Sequence, residues 1–242
     1  MKKILLLLLL LPSLVFAEHR ITASSWLVAD VDGNILHSEN SARQQSIASI
    51  SKLMTAIVVL DAKQDLDEYI KPYSRRNLIQ LAIVKSDNLA ARRLCENYPG
   101  GYSSCIDAMN QKALELGMHN TRFTESTGLS AMNVSTAEDL IKLVQASSQY
   151  SEIVEDSKTT HGKIKTKHYR RDFNNTNPLV HKYNFTVSKT GYIKASGGCI
   201  VMMLDTVIGR RIVVLLGSKN TKTRIPEAEL VALEFNRLLL RR

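Results

Sequence analysis

Three short groupings in this chain hold residues that could do chemistry together. Ser49-Ile50-Ser51-Lys52 sets an alcohol and an amine three positions apart, on one face of a predicted helix. A serine hydroxyl is a poor nucleophile near neutrality and needs a base. A lysine can be that base where burial or neighbouring cations lower its pKa. The helix start also leaves backbone N–H groups unpaired, ready to meet a developing oxyanion. Ser86-Asp87-Asn88 adds a second hydroxyl and an amide between two predicted helices. Lys189-Thr190-Gly191 falls on a predicted strand, where alternation puts Lys189 on the face of Phe185 and Val187, odd neighbours for an ammonium. There a fixed positive charge beside a threonine hydroxyl suits a carboxylate, and Gly191 lets the backbone approach a ligand.

Singly, each grouping has a plainer explanation. A capping serine can precede a solvated lysine, Asp87 or Asn88 can cap a helix after an ordinary turn, and an inward lysine can blunt an edge strand. Together, in the order S-x-x-K, S-D-N, K-T-G and on helix start, inter-helix loop and strand, they point to acyl transfer on an active serine.

The elements that must position these residues follow from periodicity. Ser25–Val31 and Asn34–His37 flank Asp32-Gly33 as a hairpin. Ile50, Leu53, Met54, Ile57, Val58 and Leu60 recur at helical spacing. Further helices are expected at Arg75–Val84, Asn88–Asn97, Ser103–Gly117 and Thr136–Ser147, the last opened by the capping box Ser135-Thr-Ala-Glu138. Past residue 158 the pattern turns to β, with Phe185–Ile193, Cys199–Thr206 and Arg211–Leu216 as strands. Pro226 marks a helix start before the amphipathic stretch Ala228–Leu240. The expected fold is α+β: an antiparallel sheet built from both chain ends, a helical lobe inserted at about 50–157, and a site in the cleft between them.

The first seventeen residues stand apart. Lys2 and Lys3 precede the apolar run Ile4–Leu11, and Val15-Phe16-Ala17 supplies small residues at a cleavage position, so 1–17 reads as a signal peptide and 18–242 as one catalytic domain. Removing two lysines and no acid lowers the formal net charge from +9 to +7. Such a surface suits anionic polymers, and export favours wall material over nucleic acid. The basic run from Lys163 to Arg171 reads as a solvated strand face or loop. Apolar content of 44% and charged content of 23% exclude a disordered chain, and three cysteines exclude a disulfide-dense mini-protein.

Longer strings around the motifs carry a resemblance. Ile47-Ala-Ser-Ile-Ser-Lys-Leu-Met-Thr-Ala56, Tyr98-Pro-Gly-Gly101, Ala108-Met-Asn110, Thr127-Gly-Leu-Ser130, Asn133, Ser135-Thr-Ala137, Asp139-Leu140, Asn175-Thr-Asn-Pro-Leu179 and Ser188-Lys-Thr-Gly-Tyr192 span most of the chain. It resembles the low-molecular-mass penicillin-binding proteins of the D-alanyl-D-alanine carboxypeptidase/endopeptidase group, especially the penicillin-binding protein 7 type of endopeptidase. The resemblance implies a β-lactamase/DD-peptidase-like fold and a periplasmic serine peptidase acting on peptidoglycan peptides, with β-lactam antibiotics as covalent inhibitors and no cofactor. It implies that Ser49 is the acylated nucleophile, Lys52 its base and Ser86 a proton relay. Asn88, Lys189, Thr190 and Gly191 would bind substrate, and the backbone N–H groups of Ser49 and Tyr192 would form the oxyanion hole. Two departures stand out. Only 25 residues follow Gly217, which leaves room for one core-packing helix and favours the endopeptidase type without a membrane anchor. Gly197-Gly198-Cys199 occupies a place where bulkier polar residues are expected in relatives.

Other readings compete. A D-Ala-D-Ala carboxypeptidase and a β-lactam-sensing, wall-binding protein share the motifs. A class A β-lactamase also shares them, but its Glu-x-x-Leu-Asn string is absent and Glu125 precedes Ser-Thr-Gly instead. Ser196-Gly-Gly-Cys199-Ile200 imitates a cysteine L,D-transpeptidase, yet Gly197 and Val201 stand at its histidine and arginine positions, so Cys199 is expected to be a core residue. The six histidines lack metal-site spacing, so no metal is expected. Cys95 and Cys105 flank Tyr98-Pro-Gly-Gly101; a bridge between them and two free thiols are both open.

Overall fold

The computed structural model describes residues 21–166 and 170–240, and the expected signal peptide lies outside them. The chain opens with β1 (Ser25–Ala29) and β2 (Ile35–Glu39), joined by a turn in which the Asp30 carboxylate accepts the N–H groups of Asp32 and Asn34. A short strand β3 (Gln45–Ser46) and a 3-10 turn Ala48–Ile50 lead into helix α1 (Ser51–Asp61). Then come β4 (Tyr69–Ile70), β5 (Tyr73–Ser74), α2 (Arg75–Ile83), α3 (Asn88–Glu96), α4 (Gly101–Glu115), β6 (Val134–Ser135), α5 (Ala137–Ser147) and α6 (Ser151–Lys158). A hairpin of β7 (His161–Lys165) and β8 (Arg170–Asn174) precedes β9 (Phe185–Ile193), β10 (Gly197–Thr206), β11 (Gly209–Ser218) and α7 (Thr221–Leu240).

Five strands form one antiparallel sheet in the order β2-β1-β11-β10-β9, so both chain ends meet in it and helices α1 to α6 are inserted between β2 and β9. Helices cover both of its faces. Leu27, Val187, Val201 and Val214 face the core around α1 and α5, while Trp26, Ile200, Met202 and Leu215 face Ala228 and Val231 of α7. This double cover is why β1 is buried at every position. α1 runs through the middle of the helical lobe, and Ser51 to Val59 are all buried, which explains its apolar character on every side.

The expected elements formed with instructive differences. Thr136, and not Ser135, caps α5, its hydroxyl accepting the Asp139 N–H, because Ser135 is paired with Gln45 in β6 and its hydroxyl meets Thr121. α4 ends where Gly117 takes a positive φ and Met118 N–H returns to the Ala113 carbonyl, the glycine-closed end its sequence called for. α7 starts at Thr221, seven residues before Ala228, and Pro226 lies inside it, with Asn220 accepting the first free N–H groups. α6 is a short, polar helix that the apolar periodicity does not announce. Phe185 does not share a face with Lys189: the register slips between Met203 and Leu204, so Phe185 turns toward α7 while Val187 and Lys189 point to the helical lobe. Cys95 and Cys105 are bridged, tying α3 to α4 at a Cα separation of 5.3 Å. No helix among the described residues is long and apolar enough to cross a membrane.

Candidate active site

Ser49 sits in the 3-10 turn just ahead of α1, not within the helix proper. The turn is unusual because Ala48 holds a φ of +48°, a conformation that costs energy for a residue with a Cβ. Two glycines hold it from outside. A Cβ on Gly191 would stand 2.9 Å from the Ser49 nitrogen, and one on Gly128 would overlap the Ala48 carbonyl at 2.0 Å. Only residues without side chains let β9 and the loop after Ser126 close on the nucleophile's backbone.

Lys52 follows one turn later and is completely buried. Its Nζ lies 2.8 Å from Ser49 Oγ, 2.8 Å from Asn88 Oδ1 and 2.5 Å from the Thr127 carbonyl. All three partners are neutral oxygens. Burial disfavours the ammonium and brings the pKa down to about 7, against the opposing charges of Glu125 and Asp87. A neutral amine satisfies this site fully: two N–H bonds go to Asn88 and Thr127, and the lone pair is left for the Ser49 hydroxyl proton.

The S-D-N grouping supplies the opposite lip. Ser86 takes a φ of +58° between α2 and α3, and Asp87 caps α3 by accepting the Ala90 N–H. Asp87 also pairs with Arg171 of β8 at 2.7 Å, so the basic run is not wholly solvated as its composition suggested. From β9, the buried Lys189 Nζ reaches Ser86 Oγ at 2.8 Å and the Thr190 carbonyl at 2.9 Å. Burial, then the charges of Lys52 and Arg224, hold its pKa well below the ordinary lysine value. Thr190 Oγ1 meets Thr176 Oγ1 at 2.6 Å. Tyr192 is exposed at the rim.

Arg224 and the Thr127 carbonyl are site members that the motifs did not announce. Arg224 of α7 donates to the Gly191 carbonyl at 2.8 Å and is buried, with its pKa lowered by that burial. The glycine pair after the third motif explains how it gets there. A Cβ on Gly198 would meet the Asn220 carbonyl at 2.7 Å and Arg224 Cβ at 2.9 Å, so bulkier residues would push α7 and its guanidinium away. Thr127 belongs to the string Thr127-Gly-Leu-Ser130, but no pattern in that string marks its carbonyl.

Ser49, Ser86, Asn88, Thr190, Gly191, Tyr192 and Arg224 line one cleft of about 270 Å³. Lys52 and Lys189 lie beneath it, so the eight residues singled out from the sequence converge. A separate cavity of about 300 Å³ beside Tyr183, Asp205 and Arg210 gathers no nucleophile with a base. Cys199 is buried on β10 and burial pushes its thiol pKa up, the environment of an inert core cysteine. The Glu125 carboxylate accepts from Thr127 N, Thr127 Oγ1 and Gly128 N, so its oxygens are occupied and unsuited to activating a deacylating water.

The sequence matches the D-alanyl-D-alanine carboxypeptidase family, peptidase S11, over residues 14–72 and 66–220. It is 41% identical over 225 residues to the D-alanyl-D-alanine endopeptidase of Escherichia coli (strain K12), covering 83% of this chain and 72% of that protein. It is 40% identical over 210 residues to the protein of the same name in Pseudomonas aeruginosa, covering 76% and 68%. Penicillin-binding protein D2 of Listeria monocytogenes, solved in an ampicillin-bound form, superposes with a TM-score of 0.80 at 26% identity over 90% of this chain and 98% of that one.

Proposed function

Since the chain belongs to the D-alanyl-D-alanine carboxypeptidase family and is thus a penicillin-binding serine D-Ala-D-Ala peptidase, we propose that it is an endopeptidase opening D-alanyl cross-links of peptidoglycan in the periplasm. Ser49 Oγ attacks the D-alanyl carbonyl while its proton passes to Lys52 Nζ. The N–H groups of Ser49 and Tyr192 hold the oxyanion, a role supported by the tight approach of Gly191 to Ser49. As the C–N bond breaks, the proton travels through the Ser86 hydroxyl to the leaving amine. Lys52 then takes a proton from water, which attacks the ester, and collapse releases the new carboxylate and restores Ser49. Asn88 orients the substrate backbone, while Lys189, Thr190 and Arg224 form the cationic end that receives the carboxylate beyond the scissile bond.

The observation that carries this reading is the 2.8 Å contact of a buried amine, with a pKa near 7, on the Ser49 hydroxyl. Two relatives at 41% and 40% identity bear the name endopeptidase, which favours a cross-link over a free terminal dipeptide. The Cys95–Cys105 bridge fits an oxidising compartment. β-Lactams acylate the same serine, and with Glu125 tied into its own loop the ester persists.

The test is incubation of the protein with purified cross-linked and uncross-linked muropeptides, with products identified by mass. Cross-link opening that disappears in Ser49→Ala is the expected result. Trimming of uncross-linked pentapeptides alone would replace the endopeptidase reading with the carboxypeptidase one, and rapid hydrolysis of penicillin would favour a β-lactamase.

A further inference from the structure

We propose that Glu125 is a positioning residue of this active site: it gathers the 125–133 loop so that the Thr127 carbonyl is aimed at Lys52 and Gly128 is pressed against the nucleophile's turn. The inference rests on the Ser49–Lys52 reading above.

The loop's geometry carries it. One carboxylate oxygen of Glu125 accepts the Thr127 N–H at 2.6 Å and the Thr127 hydroxyl at 2.5 Å. The other accepts the Gly128 N–H at 2.5 Å, the Asn133 side-chain amide at 3.1 Å and the Ser130 N–H at 3.4 Å. A single anion therefore folds four residues around itself by five charge-assisted bonds. What the loop delivers lies elsewhere. The Thr127 carbonyl, turned away from Glu125, reaches Lys52 Nζ at 2.5 Å and Ser49 Oγ at 3.3 Å. Gly128, at φ +80°, packs on the Ala48–Ser49 peptide more closely than any Cβ permits. Asn133 binds Ser51 Oγ at 3.0 Å, and that hydroxyl binds the Ala48 carbonyl at 2.9 Å. Three points of this loop thus grip the turn that presents the nucleophile, and Glu125 is their common anchor. Its charge also opposes the loss of the proton from Lys52, whose desolvation alone would drive the amine's pKa lower.

A glutamine cannot copy this arrangement. Whichever way its amide is turned, an NH2 group faces N–H or O–H donors on one side. The experiment measures the second-order rate of Ser49 acylation by benzylpenicillin against pH, for wild type, Glu125→Gln and Glu125→Asp, with thermal melting of each. Glu125→Gln is expected to slow acylation by about 10- to 100-fold, as a small misplacement of a catalytic group does. Its acid limb should move to lower pH, because the charge that favours the ammonium is gone. Glu125→Asp keeps the charge but is one methylene short of bonding Thr127 and Gly128 together. It should lose roughly fivefold or more without the downward shift, and it carries the test if the glutamine variant does not fold. Acylation within about twofold of wild type in the variants that fold would overturn the proposal, as would a limb of Glu125→Gln that stays put or moves up, the result of a loop merely loosened to water. Wild-type protein that forms no adduct at Ser49 would instead overturn the functional reading and this inference with it.

Discussion

The two walls of the cleft each bury a lysine, and they treat it differently. On the helical wall Lys52 is surrounded by three neutral acceptors, with two acids, Glu125 and Asp87, behind them, each already bound to backbone N–H groups. Desolvation outweighs those charges, which oppose it only in part, and the amine is left with a pKa of about 7. On the strand wall Lys189 reaches Ser86 and the Thr190 carbonyl, and its charged neighbours are Lys52 and Arg224, of like sign. One wall sets its amine before two acids, and the other sets its amine among groups of like charge. Burial alone therefore does not assign a lysine's task; the sign of the charges behind it does.

Breaking the helical wall should cost the most. Lys52→Arg keeps a cation that does not deprotonate, so acylation is expected to fall by about 10²- to 10⁴-fold, measured by mass-detected penicillin adducts. A variant that acylates at the wild-type rate would show that the base lies elsewhere. On the strand wall, Arg224→Ala removes a charge-assisted contact worth about 1.5–3 kcal/mol, so KM for a carboxylate-bearing peptide should rise about 10- to 100-fold with kcat less affected. Equal losses for a substrate whose carboxylate is amidated would contradict that assignment. The two lysines also predict different pH behaviour. The Lys52 amine must be unprotonated, so acylation should climb about tenfold per pH unit up to a break near 7 and flatten above it. A limb at the ordinary lysine value would mean that water reaches Lys52. The smallest effect is expected at Lys189. An arriving carboxylate raises its pKa, so at a pH between the free and bound values ligand binding should take up part of a proton, seen as a dependence of calorimetric heat on buffer ionisation enthalpy. Heats that do not vary with buffer would place the Lys189 charge outside the binding step.

Much of this was legible before the fold. Ser49 and Lys52 are linked by local helical spacing, and the hydrophobic periodicities that located α1, α2, α3 and α5 depend on near neighbours. The strand that carries Lys189 was readable for the same reason. Its shared face with Phe185 was not, because a one-residue slip against β10 inverts the alternation, and register belongs to the pair of strands. α6 escaped because its eight residues are short and polar, and Pro226 misled because a proline near a helix start is more common than one inside.

Residue types and order along the chain alone determined the chemistry on offer, an alcohol with an amine one helical turn away, and the two-part pattern of sheet ends around a helical middle. The tertiary structure decided what makes that chemistry usable: the depth at which Lys52 is buried, the Thr127 carbonyl and Asn88 amide that hold its nitrogen, and the approach of Gly128 and Gly191 to a strained turn. It also brought Arg224 across from α7, where no local motif marks it. The division is physical. Helical spacing and turn chemistry are set by bonds between neighbours in sequence, whereas desolvation and close backbone contact arise only when segments distant along the chain exclude water between them.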